Sequence, residues 1–577
     1  KHPLTLAAAR AVLQHLEERG PSLQSDLNTR TAAAVAAINE AYVQDGLPVH
    51  VEHFSSFFRP TFTGSTRFAG IFQYYLREQG VHTNPPSPSF LSTAHSEADV
   101  EAVVAAYIEA GRRMDRDGLL EAASPAGAGG PEVATPVPVL PNVARFLDER
   151  NTPDPDHWNL GVLLRPERPL ERDILRRTVE RLVERHDALR LRFFDGPNGW
   201  ASAIAPATEP QPITDVDLKG LAEDEQRAAL EEHASEIQGS LDLERGPLFR
   251  IVVFDLGGGE QRLLVIIHHF AMDGISWRPF WEDFDAIYGE LAGSGPVGLA
   301  PRSTSFEEWA HTLKRRADSD ELRGEMAAWL DLPWDRIRPV PIDHVGQDAT
   351  NTNASARVVS LEFTAEETDA MLRRTPGVMH KPDLLMTALA EVIADWTGSD
   401  AALFDMMGHG RDEDTFEDVD LFGAVGFFIS YTPMVLNVGE QFGANGVLSD
   451  QIQPILRRGL SFDLLRYMTS DATVRQAFDV LPRAQVLFNH LGTRDEIDAL
   501  PRGSLFTPAE ESIGHTHSPS GIRYYPLAIS SEIWRDTLRL KFVYSESLHD
   551  RSTIESLAAA FRERLMSDVR RNLQPVA

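Results

Sequence analysis

From Glu121 the chain reads EAASPAGAGGPEVATPVPVLP, and no other stretch limits the fold as strongly. Ala, Pro and Gly dominate it, and neither a helical nor a strand period runs through it. Such a segment has no apolar face to bury, so it reads as a linker. The chain must therefore fold as a short unit followed by a long one. The expected boundaries are residues 1–118, a linker over 119–134, and a long unit that divides into 135–345 and 346–577.

In the short unit, Leu6, Val12, Leu13 and Leu16 recur at helical spacing before Gly20. A second helix is expected over 27–44, short strands over 50–54 and 55–59, and a helix over 68–79 stopped by Gly80. Further strands are expected over 81–83 and 89–92. A last helix follows over 96–114, with Ser96 as its cap and Asp99 three residues on. This is the pattern of a small α/β lobe. The long unit alternates as well. Strands are expected over 158–164, 189–194, 249–254, 262–268 and 357–363, with helices over 171–186, 281–291, 365–374 and 381–397. An irregular stretch over 336–353 marks a join, so two α/β lobes of similar size are expected.

Composition removes several classes of function. The formal net charge of −31 makes nucleic acid and anionic membrane poor partners. The same acidity serves solubility or suits a basic patch on another protein. With no cysteine, a disulfide framework, a thiolate metal site and a cysteine nucleophile are all excluded, which fits a cytoplasmic protein. No apolar run reaches the roughly 20 residues that span a bilayer, and no secretory leader pattern is visible. The chain opens at Lys1 without Met and runs straight into a helical pattern, so it reads as a fragment of a longer protein.

The chemistry concentrates after Leu263-Leu264-Val265-Ile266-Ile267, where the chain continues His268-His269-Phe270-Ala271-Met272-Asp273-Gly274. A buried strand that stops in two histidines and an Asp-Gly delivers ionisable groups at a strand end, where loops expose side chains held by a rigid sheet. Neighbouring residues on a strand point to opposite faces, so one histidine packs inward while the other meets solvent or substrate. A neutral imidazole suits proton transfer near pH 7. For an arbitrary pair the bland reading, two structural histidines at a turn, would prevail.

The flanking residues change that balance. HHFAMDG resembles the HHxxxDG hallmark of nonribosomal peptide synthetase condensation domains and their relatives. His186-Asp187-Ala188-Leu189-Arg190 and Leu243 to Arg250 resemble further motifs of that superfamily. Gly274-Ile275-Ser276-Trp277-Arg278 with Glu282-Asp283 is similar to the DGxSWR…ED pattern of its epimerization branch. So are Gly408-His409-Gly410-Arg411-Asp412 to GHGRE, 425–433 to VGWFTSxYP, and Phe488-Asn489-His490-Leu491-Gly492 to FNYLG. Tyr544-Ser545 with Leu548-His549 matches the late motif. The resemblance spans Leu140 to about Leu557.

It implies two chloramphenicol-acetyltransferase-like lobes in a V, with the motif in a tunnel that phosphopantetheine arms of carrier proteins enter from two sides. It implies His269 as the reactive group, with His268, Gly274, Trp277, His409, Arg411 and Asn489 in support. Asp273 is implied to be structural and paired with an arginine, for which Arg190 is the candidate. One departure matters. Epimerization domains carry a glutamate immediately before GHG, and here that position is Met407. Inverting an α-carbon needs a base on one face and an acid on the other, and a thioether holds no proton. Asp405 lies two residues earlier on the same strand face, roughly 6–7 Å away. Three readings stay open: amide-forming acyl transfer, epimerization of an aminoacyl or peptidyl thioester, and a non-catalytic platform that docks carriers or enzymes.

The short unit resembles the C-terminal part of class III pyridoxal-phosphate-dependent aminotransferases. The residues are His2-Pro3-Leu4, His53 to Phe58, Phe72-Gln73-Tyr74-Tyr75-Leu76 and Gly80-Val81-His82. Phe90 to Val100 is similar to glutamate-1-semialdehyde aminomutase. The family's Schiff-base lysine lies upstream of this region and is not Lys1. No cofactor is therefore expected to be held by this chain, and the intact aminotransferase would be dimeric. No P-loop, GxSxG elbow, HExxH or carrier-protein serine motif occurs. The substrate arm is thus expected from another region or neighbouring module. His515-Thr516-His517 lacks carboxylates at ligand spacing and reads as a polar loop rather than a metal site.

Overall fold

The computed structural model describes residues 22–47, 49–62, 69–83, 89–117, 134–150, 154–196, 199–207, 213–293, 303–346, 350–373, 381–411, 419–438, 448–493 and 503–572, with a few isolated positions besides. Residues 1–132 and 133–577 form two compact units. The expected linker and the first expected helix, with Leu6, Val12, Leu13 and Leu16, lie outside the described residues or at their margin.

The first unit sets a three-stranded antiparallel sheet, β1 (Val49–Phe54), β2 (Phe57–Phe62) and β3 (Ser89–Phe90), among helices Ser22–Asp45, Ala69–Glu78 and Glu97–Arg116. The last helix starts on a full capping box. Asp99 N–H donates to Ser96 Oγ at 3.2 Å, and Asp99 accepts the Ser96 N–H at 2.8 Å. Tyr42, Phe72 and Tyr107 fill the core. Val81-His82-Thr83, with the pattern of a strand, is irregular; Val81 N–H instead closes the preceding helix on the Leu76 carbonyl at 2.9 Å.

The second unit contains three sheets. A small one orders β4 (Thr135–Val137), β7 (Gly199–Ile204) and β6 (Leu191–Gly196). The second runs β15 (Phe506–Pro508), β5 (Asn159–Pro166), β10 (Glu260–His268), β9 (Phe249–Gly257) and β8 (Ile213–Asp217). Residues 263–267 of β10 have no exposed surface. Leu263, Val265 and Ile267 face one core while Leu264 and Ile266 face another, which is why this strand reads as an unbroken apolar run. The third sheet orders β11 (Ala356–Glu362), β17 (Thr537–Ser545), β16 (Leu527–Trp534), β14 (Val486–Thr493), β12 (Ala401–Gly408) and β13 (Ser430–Asn437). β12, β14 and β16 run parallel to one another, and the remaining pairs are antiparallel.

Two features depart from the sequence pattern. Residues 187–190 form a short 3-10 turn, so the strand after it begins at Leu191. And β15, late in the chain, pairs with β5 of the second sheet. From there the segment continues along β5: Ala509 N–H donates to the Leu163 carbonyl at 3.0 Å, and Asn159 N–H donates to the Thr516 carbonyl at 2.7 Å. His517 is thereby carried to a bridge with Trp158, at the end of β5 nearest the two histidines.

Candidate active site

β10 ends at His268, and the chain turns there. Ala271 N–H donates to the His268 carbonyl at 2.9 Å, and Phe270, Ala271 and Met272 are fully buried. Phe270 anchors the turn by its ring contacts with Phe146, Trp158 and Phe193. His268 points inward. Its Nδ1 accepts the Phe270 N–H at 3.1 Å, and its Nε2 lies 3.0 Å from the Pro155 carbonyl, which only accepts. These partners assign the proton to Nε2. Burial pushes the ring's pKa down to about 3, so His268 is a neutral structural group.

His269 faces the other way and is half-buried. Its ring stacks on Trp158 with centroids 4.3 Å apart, and Phe427 meets it edge-on at 4.9 Å. Trp158 in turn lines a cleft with Asp154, His157, His517, Arg523, Tyr524 and Tyr525, and a narrower chamber with Asn142, Arg145 and Tyr431. The two histidines thus divide into an inward and an outward group, as the strand geometry predicts.

Asp273 is buried and held at every lone pair the turn offers. Its Oδ1 accepts the Ser276 N–H at 3.0 Å and hydroxyl at 2.8 Å, and its Oδ2 accepts the Phe428 N–H at 3.1 Å. Arg411 donates to both oxygens, at 2.9 and 3.2 Å, from a side chain with no exposed surface. This fork is the bidentate geometry that makes arginine the strongest partner for a carboxylate. The arginine of the pair is therefore Arg411, not Arg190. Arg190 donates instead to the carbonyls of Val183 at 3.1 Å and Ala205 at 2.5 Å, because the 3-10 turn aims it back at its own layer. Ser276, a motif residue to which the sequence assigns no role, bridges the pair: it accepts Arg411 Nη2 at 2.8 Å.

The other motif residues spread out. Gly274 is exposed. Trp277 opens helix Trp277–Leu291 and stacks on Trp281, away from the histidines' ring stack. His409 is exposed, and its Nδ1 accepts the Arg411 N–H at 3.0 Å. On the third sheet, Met407 is in register with Tyr431 of β13 and Asn489 of β14. Asp405 shares its strand face by alternation.

Asp405 is closed off by residues that no motif singles out. It is buried, ion-paired with Arg145 of helix Pro141–Arg150, and accepts the Tyr525 hydroxyl at 2.7 Å. Arg145 also donates to the Tyr525 oxygen at 3.1 Å and lies 3.7 Å from Asp463. Burial presses its basicity down, but Asp405, the two tyrosines and Asp463 outweigh that and hold the guanidinium above its ordinary range. Burial likewise pushes the Tyr525 phenol well up. The signal for Arg145 is a charged residue set in the short apolar run of Val143, Ala144, Phe146 and Leu147. No cluster of His, Asp and Glu fit to hold a metal ion occurs among the described residues, and 515–517 forms a polar loop.

A histidine at a strand end, an Asp–Arg latch that ties its turn to the third sheet, and an aromatic-walled cleft beside it define a condensation-type site. The chain belongs to the condensation domain family, whose model matches residues 145–576. A linear gramicidin synthase polypeptide of Brevibacillus parabrevis is 36% identical over 439 residues, which is 74% of this chain and 6% of that protein. A second linear gramicidin synthase polypeptide of the same organism is 34% identical over 437 residues, 75% of this chain and 8% of the relative. The chain thus spans less than a tenth of such relatives. Among solved structures, the epimerization domain from the third module of tyrocidine synthetase B is 30% identical, with a TM-score of 0.64 over 77% of this chain and all of that one. The X-domain from teicoplanin biosynthesis shares the fold at 20% identity and a TM-score of 0.57, over 77% of this chain and 96% of that one.

Proposed function

We propose that the second unit performs amide-forming acyl transfer on aminoacyl or peptidyl thioesters carried on the phosphopantetheine arm of carrier proteins from neighbouring synthetase modules. The amine nitrogen attacks the thioester carbon and its proton passes to His269; the carbon–sulfur bond breaks, and the departing thiolate takes that proton as the free thiol. Orientation of the two reactants supplies much of the rate, so one base suffices. The observation that carries this reading is the chemistry at Met407. A proton carrier for the second face of an α-carbon is missing there, and Asp405 is committed to Arg145 and Tyr525. In this reading the second sheet, β15 apart, belongs to the lobe 135–345 and the third sheet to the lobe 346–577, and the cleft at Trp158 is part of the passage for the arm.

The 30% identity with an epimerization domain over that domain's whole length favours a second reading, inversion of the α-carbon. Incubation with a loaded carrier protein in deuterium oxide separates the two. A new amide without α-deuterium is expected; α-deuterium without a new bond sinks acyl transfer in favour of inversion. His269→Ala is expected to abolish turnover. If it changes nothing, the chain is a docking platform instead.

Residues 1–118 we read as the end of a class III aminotransferase. Lys1 is the only lysine before residue 133, so no lysine of the described unit is available to hold pyridoxal phosphate, and we derive no chemistry through it. Among the described residues no helix is long and apolar enough to cross a membrane, and we place the chain in the cytoplasm with its carrier partners.

A further inference from the structure

Three rings are piled behind the reacting face of the site. Phe146 stacks on Trp158 with centroids 4.3 Å apart and planes 21° from parallel, and Trp158 stacks on His269 at 4.3 Å and 22°. The backbone repeats the link, since His269 N–H donates to the Trp158 carbonyl at 2.8 Å. The indole is also fixed from the side. Phe270 and Phe427 meet it edge-on at 5.7 and 5.6 Å, and His517 bridges its backbone. Neither ring can tilt without disturbing the pile.

An indole face carries negative potential, and a cation within about 6 Å of it is attracted, the more so as water is excluded. A neutral imidazole gains less than an imidazolium. The stack therefore favours the protonated form of His269, the form that exists after it has accepted a proton. Other groups around the pile act on it too. His157 on the segment before β5 and His517 on the late segment oppose a second positive charge when protonated, while His268 on β10, held neutral by its burial, does not. Arg145 stands beyond Phe146 on its helix. Asp154 and Arg523 line the adjoining cleft with opposite signs.

We propose that Trp158 is a positioning residue: it fixes the plane of the His269 ring and, through its indole face, keeps that ring more basic than its histidine neighbours would leave it. The functional consequence rests on His269 being the proton acceptor, but the effect on His269 itself does not.

The test uses the full chain with isotope-labelled histidine, the His269 resonance being assigned by its loss in His269→Gln. In Trp158→Leu the titration midpoint is expected to fall by about half a pH unit to one and a half. Trp158→Phe keeps a ring on the stack and should fall by less. The acid limb of kcat/KM on a loaded carrier should move to lower pH with the midpoint. An unchanged midpoint in the leucine variant overturns the proposal. Should that variant not fold, the phenylalanine variant decides: a lowered midpoint supports it and an unchanged one overturns it. A shifted midpoint in a protein whose turnover ignores His269 leaves the proposal standing and removes the acyl-transfer reading, so the two failures are distinct.

Discussion

Arg411 reaches Asp273 from 138 residues away and meets it where neither has solvent to fall back on. Replacing it with leucine strands a buried carboxylate, which costs about 3–5 kcal/mol. Arg190→Ala only removes donors from two carbonyls and should cost about 1–2 kcal/mol. Urea denaturation of the two variants checks the order, and equal losses would return Arg190 to the site. Asp273 and Arg411 are each legible as motif residues. Which arginine closes on the carboxylate is not, because spacing within motifs says nothing of the turn that aims Arg190 backward. His268 gives a second test. Its folded pKa, about 3, lies below the ordinary 6.5, so the unfolded chain binds the extra proton. The stability this group contributes is whole above pH 6.5 and is lost as pH falls toward 3, by up to about 1.4 kcal/mol per pH unit. His268→Gln should be less stable at pH 7 but show a flatter acid limb in denaturant midpoints measured from pH 7 to 4. An unaltered slope contradicts the neutral assignment.

At the scale of elements, the turn leaving β12 decides whether Arg411 arrives at all. Gly410 has φ of +64°, and a Cβ there would sit 1.7 Å from the Phe428 carbonyl oxygen, which is backbone and cannot rotate away. Gly492, near the end of β14, has φ of +68° with nothing within 4 Å of a Cβ. Gly492→Ala should therefore cost about 1 kcal/mol for its conformation alone. Gly410→Ala should cost at least about 3 kcal/mol and loosen the Asp273 latch. Thermal melts of both variants read the difference; equal shifts would mean the close approach is relieved cheaply. The sequence shows that a glycine stands before Arg411 and cannot show why. The elements themselves are mostly legible where hydrophobic period and length agree, as in helix Lys381–Thr397. The pattern misleads where one residue's contacts override propensity, as at 81–83 and 187–190. Trp158 is visible only as the first residue of an expected strand; nothing in the sequence says that its indole lies on His269.

For the whole molecule, the order of strands matters more than the order of residues. A division near residue 345 looks natural along the chain, since the pattern pauses there. Yet the second sheet takes β15 from the far half, and Phe506 on it packs at 3% exposure against Trp281 and Phe284. Arg262 and Glu511 pair across the same join at 2.9 Å, and Asp273 is closed by Arg411. Residues 135–345 alone would thus expose the edge of β5, uncover a core aromatic site and leave Asp273 buried without its cation. Those are losses of several kcal/mol each in a domain whose net stability is about 5–15 kcal/mol. Residues 134–577 keep all three sheets intact. That span is expected to melt cooperatively, close to the main transition of the full chain, whereas 135–345 produced alone should be insoluble or lack a near-ultraviolet dichroism signal. A soluble 135–345 with native-like aromatic dichroism would show that the borrowed strand is an ornament on the sheet rather than part of its core.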